Sequence, residues 1–337
     1  MAKAPTGIDL ARVLCKAHPQ AASHSLAKRL YRENVERFST YNAAYLCVRR
    51  ARGNQGEKMR KKCNDEGVRR ENGKPGWIPE CPPSHAEPWL PVEISGPASI
   101  GVLSDVHVPY HDHRAVTQAV AFLRKKHRLT HLLLNGDFMD FYRISRWEKN
   151  PKARDLVSEV EAGKEALSWL RGQFKSAEMT YKLGNHDERL DSYIWQKAPE
   201  LLGLNSVQIG HVLDFEKFGI TEVRDQRPIM AGKLPIFHGH ELPRGMSSPV
   251  NPARGAYMRT AHTMLMGHLH RPSTHTEPDM FKNDTTCWST GCLCDMTPEY
   301  ARLNKWSHGF CFVEVAADGT FGVHNYQITK DGSVRPA

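Results

Sequence analysis

Five short segments between residues 105 and 270 bring aspartate, asparagine and histidine together with glycine. They read Ser-Asp-Val-His at 104–107, Asn-Gly-Asp-Phe-Met-Asp at 135–140, Gly-Asn-His-Asp-Glu at 184–188, His-Gly-His at 238–240 and Gly-His-Leu-His at 267–270. Carboxylate oxygens, amide carbonyls and imidazole nitrogens are the ligands that proteins offer to divalent cations. The residue types therefore predict a metal site assembled from distant parts of the chain.

The types of ligand also bear on the metal. Asp105 and His107 are two positions apart, so at an extended strand end both side chains face one side and can hold one cation. Asp137 offers two oxygens that can bridge two cations. The further candidates are the amide carbonyl of Asn185 and the imidazoles of His238, His268 and His270. Mixed imidazole and carboxylate ligation favours a transition metal, manganese first, with iron, zinc and nickel as alternatives.

Short apolar runs precede these segments and predict the strands that position them. We expect strands at 99–104, 131–135, 179–183, 234–238 and 263–266, helices at 113–126 and 153–171, and further strands at 285–289, 309–315 and 320–326. This order indicates an α/β start and a β-rich end. Ligands in open α/β folds gather at the carboxyl ends of strands, which is where the five segments fall.

In sequence order the motifs are D-x-H, G-D-x-x-D, G-N-H-D/E, an apolar run ending in H-G-H, and G-H-x-H. This set resembles the calcineurin-like metallophosphoesterase superfamily, over about half of the chain. The resemblance implies an α/β fold, a four-layer αββα sandwich with two sheets flanked by helices. It implies one metal held by Asp105, His107, Asp137 and His270 and a second by Asp137, Asn185, His238 and His268. It favours His238 over His240 as the ligand, and leaves His240 beside a ligand or facing the substrate.

The resemblance also implies a reaction and its catalytic residues. Two cations hold the phosphate, and a metal-activated hydroxide attacks phosphorus in line with the leaving group. His186 then donates a proton to the leaving alkoxide or stabilises the attacked phosphate. Asp187 or Asp140 would orient His186 and raise its pKa.

Basic residues close to the motifs are candidates for substrate contacts. Arg143, Arg146 and Trp147 follow the second motif, and Arg244 lies in the loop after His-Gly-His. A guanidinium group can clamp a phosphate with two hydrogen bonds. Ordinary surface charge is the alternative for each of these arginines.

The excess positive charge of the chain is confined to its start. Residues 1–80 hold 17 basic and 8 acidic side chains, whereas the remainder is neutral. Three short helices are expected at 8–17, 25–34 and 41–52, with Ser23 and Ser39 as N-caps. They resemble a helix-turn-helix module, which predicts a nucleic-acid partner. The predicted contacts are Arg49, Arg50, Arg52, Lys61 and Lys62. A basic helical cap with no such role is the alternative.

We therefore expect a basic helical module at 1–72, a linker at 73–96 with six prolines, and a catalytic domain at 97–337. The absence of a long apolar run predicts no membrane association and a cytoplasmic location. The arrangement of the motifs, with the segment 238–259, also resembles phosphoesterases encoded by phages or prophages, which implies the cytoplasm of a bacterial host.

The expected function is that of a phosphodiesterase or nuclease acting on DNA or another nucleic acid. A phosphomonoesterase or a small-nucleotide phosphodiesterase is the alternative among enzymes. A DNA-binding regulatory protein with an incidental metal site is the alternative outside them. The sequence leaves the oligomeric state open.

Overall fold

The computed structural model describes residues 4–53, 83–148, 155–243 and 250–337. The chain divides into two compact units, Met1–Ala86 and Glu87–Ala337. Within the described parts of the chain, none of the helices is both long enough and apolar enough to cross a membrane.

The first unit contains α1 (Gly7–Ala17), α2 (Ser23–Glu33) and α3 (Tyr41–Ala51). Their apolar faces meet in one small core that includes Leu14, Leu26, Leu30 and Val48. The predicted N-caps were wrong by one position each. Ser23 is the first residue of α2, after Ala22, and α3 begins after Thr40, whose hydroxyl accepts a hydrogen bond from the Ala43 amide.

The second unit contains thirteen strands within its described residues, arranged in two sheets. The strands are β1 (Val92–Ile94), β2 (Ala98–Leu103), β3 (His131–Asn135), β4 (Glu178–Lys182), β5 (Ile220–Val223), β6 (Ile229–Ala231), β7 (Leu234–Phe237), β8 (Met264–Met266), β9 (Ser273–Pro278), β10 (Asp284–Ser289), β11 (Gly309–Val315), β12 (Phe321–Ile328) and β13 (Val334–Pro336). One sheet has the order β13-β12-β11-β2-β3-β4-β5, and the other has the order β1-β6-β7-β8-β10-β9.

The helices of this unit are α4 (His113–Lys126), α5 (Leu156–Gln173), α6 (Arg189–Lys197), α7 (Ile209–Val212), α8 (Phe215–Phe218) and α9 (Pro252–Thr260). Single 3₁₀ turns lie at Tyr142–Ile144, Pro199–Leu201, Asn205–Val207 and Glu299–Ala301. The structure is therefore a mixed α/β fold with two sheets.

Alternation along β3 shows how the sequence builds the layers. Leu133 is buried in a cluster shared by both sheets, with Ile236 and Leu265 from the second sheet. Leu132 and Leu134 point the opposite way, into a cluster that includes residues of α4 and α5. A strand buried on both faces needs a continuous apolar run, which His131–Asn135 supplies in three leucines. On the second sheet, Ala253 and Ala256 of α9 pack against β8 and β10.

Strand direction decides where the motifs meet. The strands β2, β3, β4 and β5 run parallel, so the residues that follow β2, β3 and β4 share one edge. In the other sheet β7 and β8 also run parallel to each other. The five polar segments therefore leave the carboxyl ends of strands from both sheets.

The segment predicted as a proline-rich linker ends inside a sheet. Val92–Ile94 forms β1 and pairs in parallel with Ile229–Ala231 of β6. Residues 73–82 of that segment lie outside the described residues, as do Lys61 and Lys62. The predicted boundaries of the three parts stay a prediction.

Candidate metal centre

The predicted ligands converge in one buried place. The Nε2 atom of His270 lies 3.1 Å from Oδ1 of Asp105, and Nε2 of His238 lies 3.3 Å from Oδ2 of Asp137. His107 Nε2 is 3.9 Å from the same Asp137 oxygen. All five of these side chains are buried. Residues from both sheets thus surround a single small volume.

Four groups of candidate ligand atoms occur among the described residues, and two of these groups share a carboxylate. Asp105, His107 and Asp137 form one group in which the ligand atoms lie within 4.8 Å of one another, and Asp137, His238 and His268 form another. Asp137 belongs to both. A carboxylate shared by two groups is the arrangement that a bridge between two cations requires.

Several buried atoms of the predicted ligands have no hydrogen-bond partner among the described residues. They are Oδ1 of Asp105, Nε2 of His107, Oδ1 of Asn185, Nε2 of His238 and Nδ1 of His268. A buried polar atom without a partner costs about 1–3 kcal/mol, so the occurrence of such atoms in five of the predicted ligands indicates a partner that the protein itself does not supply. Because all five are metal-ligand atoms, the residues fit a site for divalent cations.

Each carboxylate is anchored by one oxygen and presents the other. Oδ2 of Asp105 accepts hydrogen bonds from the Ser104 hydroxyl at 2.6 Å and the His268 amide at 2.9 Å. Oδ1 of Asp137 accepts from the His186 amide at 2.8 Å. The free oxygens, Oδ1 of Asp105 and Oδ2 of Asp137, are the ones that face the histidines.

Two histidines are anchored in the same way. Nδ1 of His238 donates to the backbone carbonyl of Asn135 at 2.8 Å, and Nδ1 of His107 donates to Asp140 at 3.0 Å. Each ring therefore presents Nε2 to the centre. Such contacts fix the tautomer and the orientation of histidine ligands.

The backbone at the site adopts an unusual conformation. Asp105, His107, Asp137, His268 and His270 all have φ between 51° and 66°, the left-handed region. These are five of the eleven non-glycine residues with positive φ in the described parts of the chain. Such residues cost about 1–3 kcal/mol each and cluster at functional sites. The turns that follow the strands are thus shaped for the ligands.

Two glycines make room for this packing. A Cβ at Gly184 would collide with the backbone nitrogen and Oδ1 of Asp137, and a Cβ at Gly267 would collide with the hydroxyl of Ser104. Neither neighbour is free to move, because both take part in the anchoring of the carboxylates. Glycine is required here by close approach.

The charge of the site attracts positive partners. Burial alone would lower the pKa of His238, but Asp137 and Asp105 beside it raise that pKa to about 10. In the same way, burial would raise the pKa of Asp105, yet His270 and His238 hold it well below its ordinary value. The buried carboxylates are therefore stabilised by positive charge, either from protonated histidines or from bound metal ions.

His186 is placed beside this centre by Asp140 and an arginine. Nδ1 of His186 lies 3.2 Å from the Asp140 carbonyl and 3.5 Å from its carboxylate. Nε2 accepts a hydrogen bond from Nη2 of Arg189 at 3.0 Å, and Nη1 of Arg189 donates to the Asp140 carbonyl at 2.8 Å. Asp140 thus connects a predicted ligand, His107, with the predicted acid, His186.

The Asp187 carboxylate, one of the two candidates to orient His186, is hydrogen-bonded to other groups. Its carboxylate accepts hydrogen bonds from the Tyr181 hydroxyl at 2.6 Å, the Met139 amide at 3.0 Å and the Gly184 amide at 2.9 Å. Burial and the negative charge of Asp137 raise the pKa of Asp187 to about 6. Asp187 therefore holds together the turns that carry Asp137 and Asn185, whereas Asp140 is the carboxylate that contacts the His186 ring.

His240 lies next to the centre and forms its own ion pairs. Its Nε2 is 3.2 Å from Glu188 and its Nδ1 is 3.2 Å from Glu241. Burial would lower the pKa of His240, but these two carboxylates raise it to about 9. The structure thus places His238 in the centre and His240 beside it.

The remaining arginines predicted to contact the substrate or nucleic acid lie in several parts of the chain. Arg143 is partly buried in the 3₁₀ turn after the second motif, and Arg244 lies outside the described residues. On α3, Arg49 lies over the ring of Tyr45 at 6.0 Å, and Arg50 is exposed.

Arg52 requires a correction. It is buried, and its guanidinium donates to the carbonyls of Pro19 and Ala21 and to the Ser23 hydroxyl. Arg52 thus ties α3 to the turn before α2, and is no longer a candidate for nucleic-acid contacts.

Sequence reasoning missed Arg189, Lys182 and Glu241. Glu241 accepts hydrogen bonds from the amides of His238 at 2.9 Å and Gly239 at 2.7 Å, which fixes the turn of the fourth motif. Lys182, fully buried, lies 3.2 Å from Glu241. A glutamate just after His-Gly-His and a lysine at the end of an apolar strand were the available signals.

We expect Lys182→Met to lower the free energy of unfolding by about 3–5 kcal/mol, because it removes the buried cation beside Glu241 and leaves only His240 to pair with that carboxylate. Urea denaturation of the purified protein measures this loss. Lys175→Met, at an exposed position, is the matched control and should change stability by less than about 0.5 kcal/mol. A loss below about 1 kcal/mol in Lys182→Met would show that the pair is not needed.

The buried carboxyl group of Glu159 makes the stability of the fold depend on pH. Glu159 of α5 is buried and accepts a hydrogen bond from the Tyr142 amide at 3.2 Å. Burial and the negative charge of Asp140 raise the pKa of Glu159 from 4.5 to about 7. Folding therefore favours the protonated acid, and its stabilising effect is complete below pH 4.5 and is lost as pH rises to about 7.

Glu159→Gln removes this loss while keeping an acceptor for Tyr142. We expect the variant to be more stable than the wild type by about 1–3 kcal/mol at pH 8, with a small difference at pH 5. Urea denaturation at both pH values tests this. Glu165→Gln, exposed on the same helix, is the control. Equal stability of Glu159→Gln and the wild type at pH 8 would contradict the expectation.

The chain is similar in sequence to one phage protein. No family model matches the chain. The Gene 54 protein of Mycobacterium phage L5 is 27% identical over 229 residues, which cover 64% of this chain and 88% of that protein. The solved structure of a single mutant of Vps29 from Entamoeba histolytica gives a TM-score of 0.38 at 18% identity, covering 70% of this chain and 96% of that one. At that TM-score the likeness to Vps29 supports no conclusion.

Proposed function

We propose that this protein is a phosphoesterase of the calcineurin-like metallophosphoesterase superfamily that uses two divalent cations. The observation that carries the proposal is the convergence on the shared carboxylate of Asp137 of four side chains that each hold an unpartnered buried ligand atom: Asp105, His107, His238 and His268. One cation would be held by Asp105, His107, Asp137 and His270. The other would be held by Asp137, Asn185, His238 and His268. Manganese suits this donor set, as do iron, zinc and nickel.

Two cations in such a site, when bound, supply an acidified water and neutralise negative charge on a phosphate. The protein's own residues perform the remaining tasks. His186 stands at the edge of the centre to protonate the leaving oxygen, and Asp140 holds its Nδ1. In the structure Nε2 of His186 accepts from Arg189, so the proton is on Nδ1. A bound phosphate would draw the guanidinium to itself, and Nε2 could then take up a proton from water, stabilised by the Asp140 carboxylate, and give that proton to the leaving oxygen.

The packing of the second unit supports the same proposal. Apolar clusters lie between the two sheets, between the first sheet and α4 and α5, and between the second sheet and α9. These are the interfaces that a four-layer αββα sandwich requires.

We further propose that the substrate is a phosphodiester of DNA or another nucleic acid. The support is the concentration of positive charge in residues 1–80, with 17 basic against 8 acidic side chains, since phosphate neutralisation is the usual source of affinity for nucleic acid. The similarity to a phage protein supports an origin in a phage or prophage.

Hydrolysis assays test the two levels of the proposal separately. The manganese-loaded protein is incubated with bis(p-nitrophenyl) phosphate and with labelled single- and double-stranded DNA. We expect metal-dependent hydrolysis of the small diester and cleavage of DNA. Hydrolysis of the small diester alone would remove DNA as the substrate, and inactivity toward both the small diester and DNA would refute the phosphodiesterase assignment.

Metal removal gives an independent check. We expect the melting temperature of EDTA-treated protein to rise when manganese is added, because ligand binding to the folded state stabilises it by about 2.7 kcal/mol at 100 times the dissociation constant. Differential scanning fluorimetry measures the shift, and Asp105→Asn should reduce it. A shift of equal size in Asp105→Asn would place the binding elsewhere.

A further inference from the structure

A groove of about 700 Å³ opens next to the candidate metal centre. It is bounded by α6 and by residues 144–147. Its lining includes Asn185, a proposed ligand, and Arg189, whose guanidinium contacts both His186 and Asp140. A substrate whose phosphate occupies the centre would therefore extend directly into this groove.

The walls of the groove carry exposed aromatic rings. Trp147 is 65% exposed and Tyr193 is 42% exposed. The guanidinium carbon of Arg146 lies 4.8 Å from the centre of the Trp147 ring. Large aromatic side chains that stay open to solvent beside a charged site provide flat surfaces for stacking.

The charge of the groove is positive. Its basic lining residues are Arg146, Arg189 and Lys197, and none of its described lining residues is acidic. Ser192 and Gln196 add hydrogen-bonding groups. Cations beside stacking rings are the combination with which proteins bind the backbone and bases of single strands.

We infer that this groove binds an unpaired nucleotide next to the scissile phosphate, with its base stacked on Trp147. The position of the phosphate rests on the proposed function. A base inside a duplex has both faces covered by its neighbours, so only an unpaired nucleotide can present a face to the indole. The groove therefore selects single-stranded over double-stranded nucleic acid.

Binding of a labelled oligonucleotide tests the inference without turnover. Fluorescence anisotropy follows the metal-loaded full-length protein with a phosphorothioate-linked, fluorescein-labelled oligothymidylate and with a duplex of equal length. We expect Trp147→Ala to weaken single-strand binding by about 5- to 100-fold. Trp147→Phe should restore most of the affinity. The melting temperature of each variant checks folding.

Trp195→Ala is the matched control, because Trp195 is 61% exposed on the same helix as Tyr193 but does not line the groove. It should bind the single strand as the wild type does. Single-strand affinity within twofold of wild type for Trp147→Ala would overturn the inference, as would an equal loss on the duplex or an equal loss in Trp195→Ala. Failure of the wild type to hydrolyse any diester would instead refute the proposed function, while the binding result still decides the groove.

Discussion

Asp137→Asn is expected to lower kcat for metal-dependent hydrolysis of bis(p-nitrophenyl) phosphate by on the order of 10³-fold. Asp137 is the residue common to both groups of ligand atoms, and its Oδ2 faces His107 and His238. An amide in its place keeps the shape but removes the negative charge that two cations would share. One position therefore affects both halves of the centre.

The measurement combines kcat with bound manganese per chain, determined by elemental analysis after desalting. We expect about two manganese ions in the wild type and fewer in Asp137→Asn, in line with two-metal chemistry. Asp284→Asn, at an exposed strand position, is the matched control and should retain both activity and metal. Activity above a tenth of the wild-type value in Asp137→Asn would contradict the bridging role.

His186→Gln is expected to lower kcat for DNA hydrolysis by about 10²- to 10⁴-fold, the range of general acid catalysis. Its ring lies at the edge of the centre, with Nδ1 held by Asp140 and Nε2 accepting from Arg189. Glutamine can still donate a hydrogen bond but cannot transfer a proton. Manganese content should be unchanged, because His186 is not one of the proposed ligands.

The leaving group separates the two roles considered for His186. p-Nitrophenolate leaves without protonation, whereas the alkoxide of a nucleotide needs a proton, so a general acid matters much more for DNA. We expect the loss in kcat to be at least about tenfold smaller for bis(p-nitrophenyl) phosphate than for DNA. His211→Gln, at an exposed position, serves as the control. Equal losses on both substrates would assign His186 to stabilising the phosphate instead of donating the proton.

Much of the second unit could be predicted from local patterns. The helix His113–Lys126 and the strand His131–Asn135 were predicted with correct ends. The helix begins after Asp112, whose carboxylate accepts from the Ala115 amide, and its apolar residues recur at helical spacing. The strand has an uninterrupted apolar run. Where one pattern covers a whole element, its ends can be read from the sequence.

Two of the strands that were missed lack such a pattern. The strand Ser273–Pro278 is polar throughout and lies at a sheet edge, and Val92–Ile94 lies among prolines. Short edge strands form because a neighbouring strand offers hydrogen-bonding groups, and this information is not local. The helix Arg189–Lys197 was also missed, although its Arg189 contacts His186.

The site shows the same division. The convergence of Asp105 and Asp137 could be predicted, because the parallel strands β2 and β3 bring their carboxyl ends to one edge. His238 follows a strand of the other sheet, and only the resemblance to a family implied its place. The choice between Asp140 and Asp187 as the partner of His186 could not, because both carboxylates follow a motif and only the turns decide which of them contacts the ring. Lys182 and Glu241 form their buried ion pair between segments from the two sheets that are far apart in sequence, so the pairing could not be predicted from local patterns.

The left-handed backbone of the five ligands has a consequence for evolution. Asp105, His107, Asp137, His268 and His270 are kept in a conformation that glycine or asparagine adopts more readily. A descendant gene released from selection for catalysis would gain stability by drifting to these residues. A relative that has lost catalysis but kept the fold is therefore expected to carry glycine or asparagine at several of these five positions.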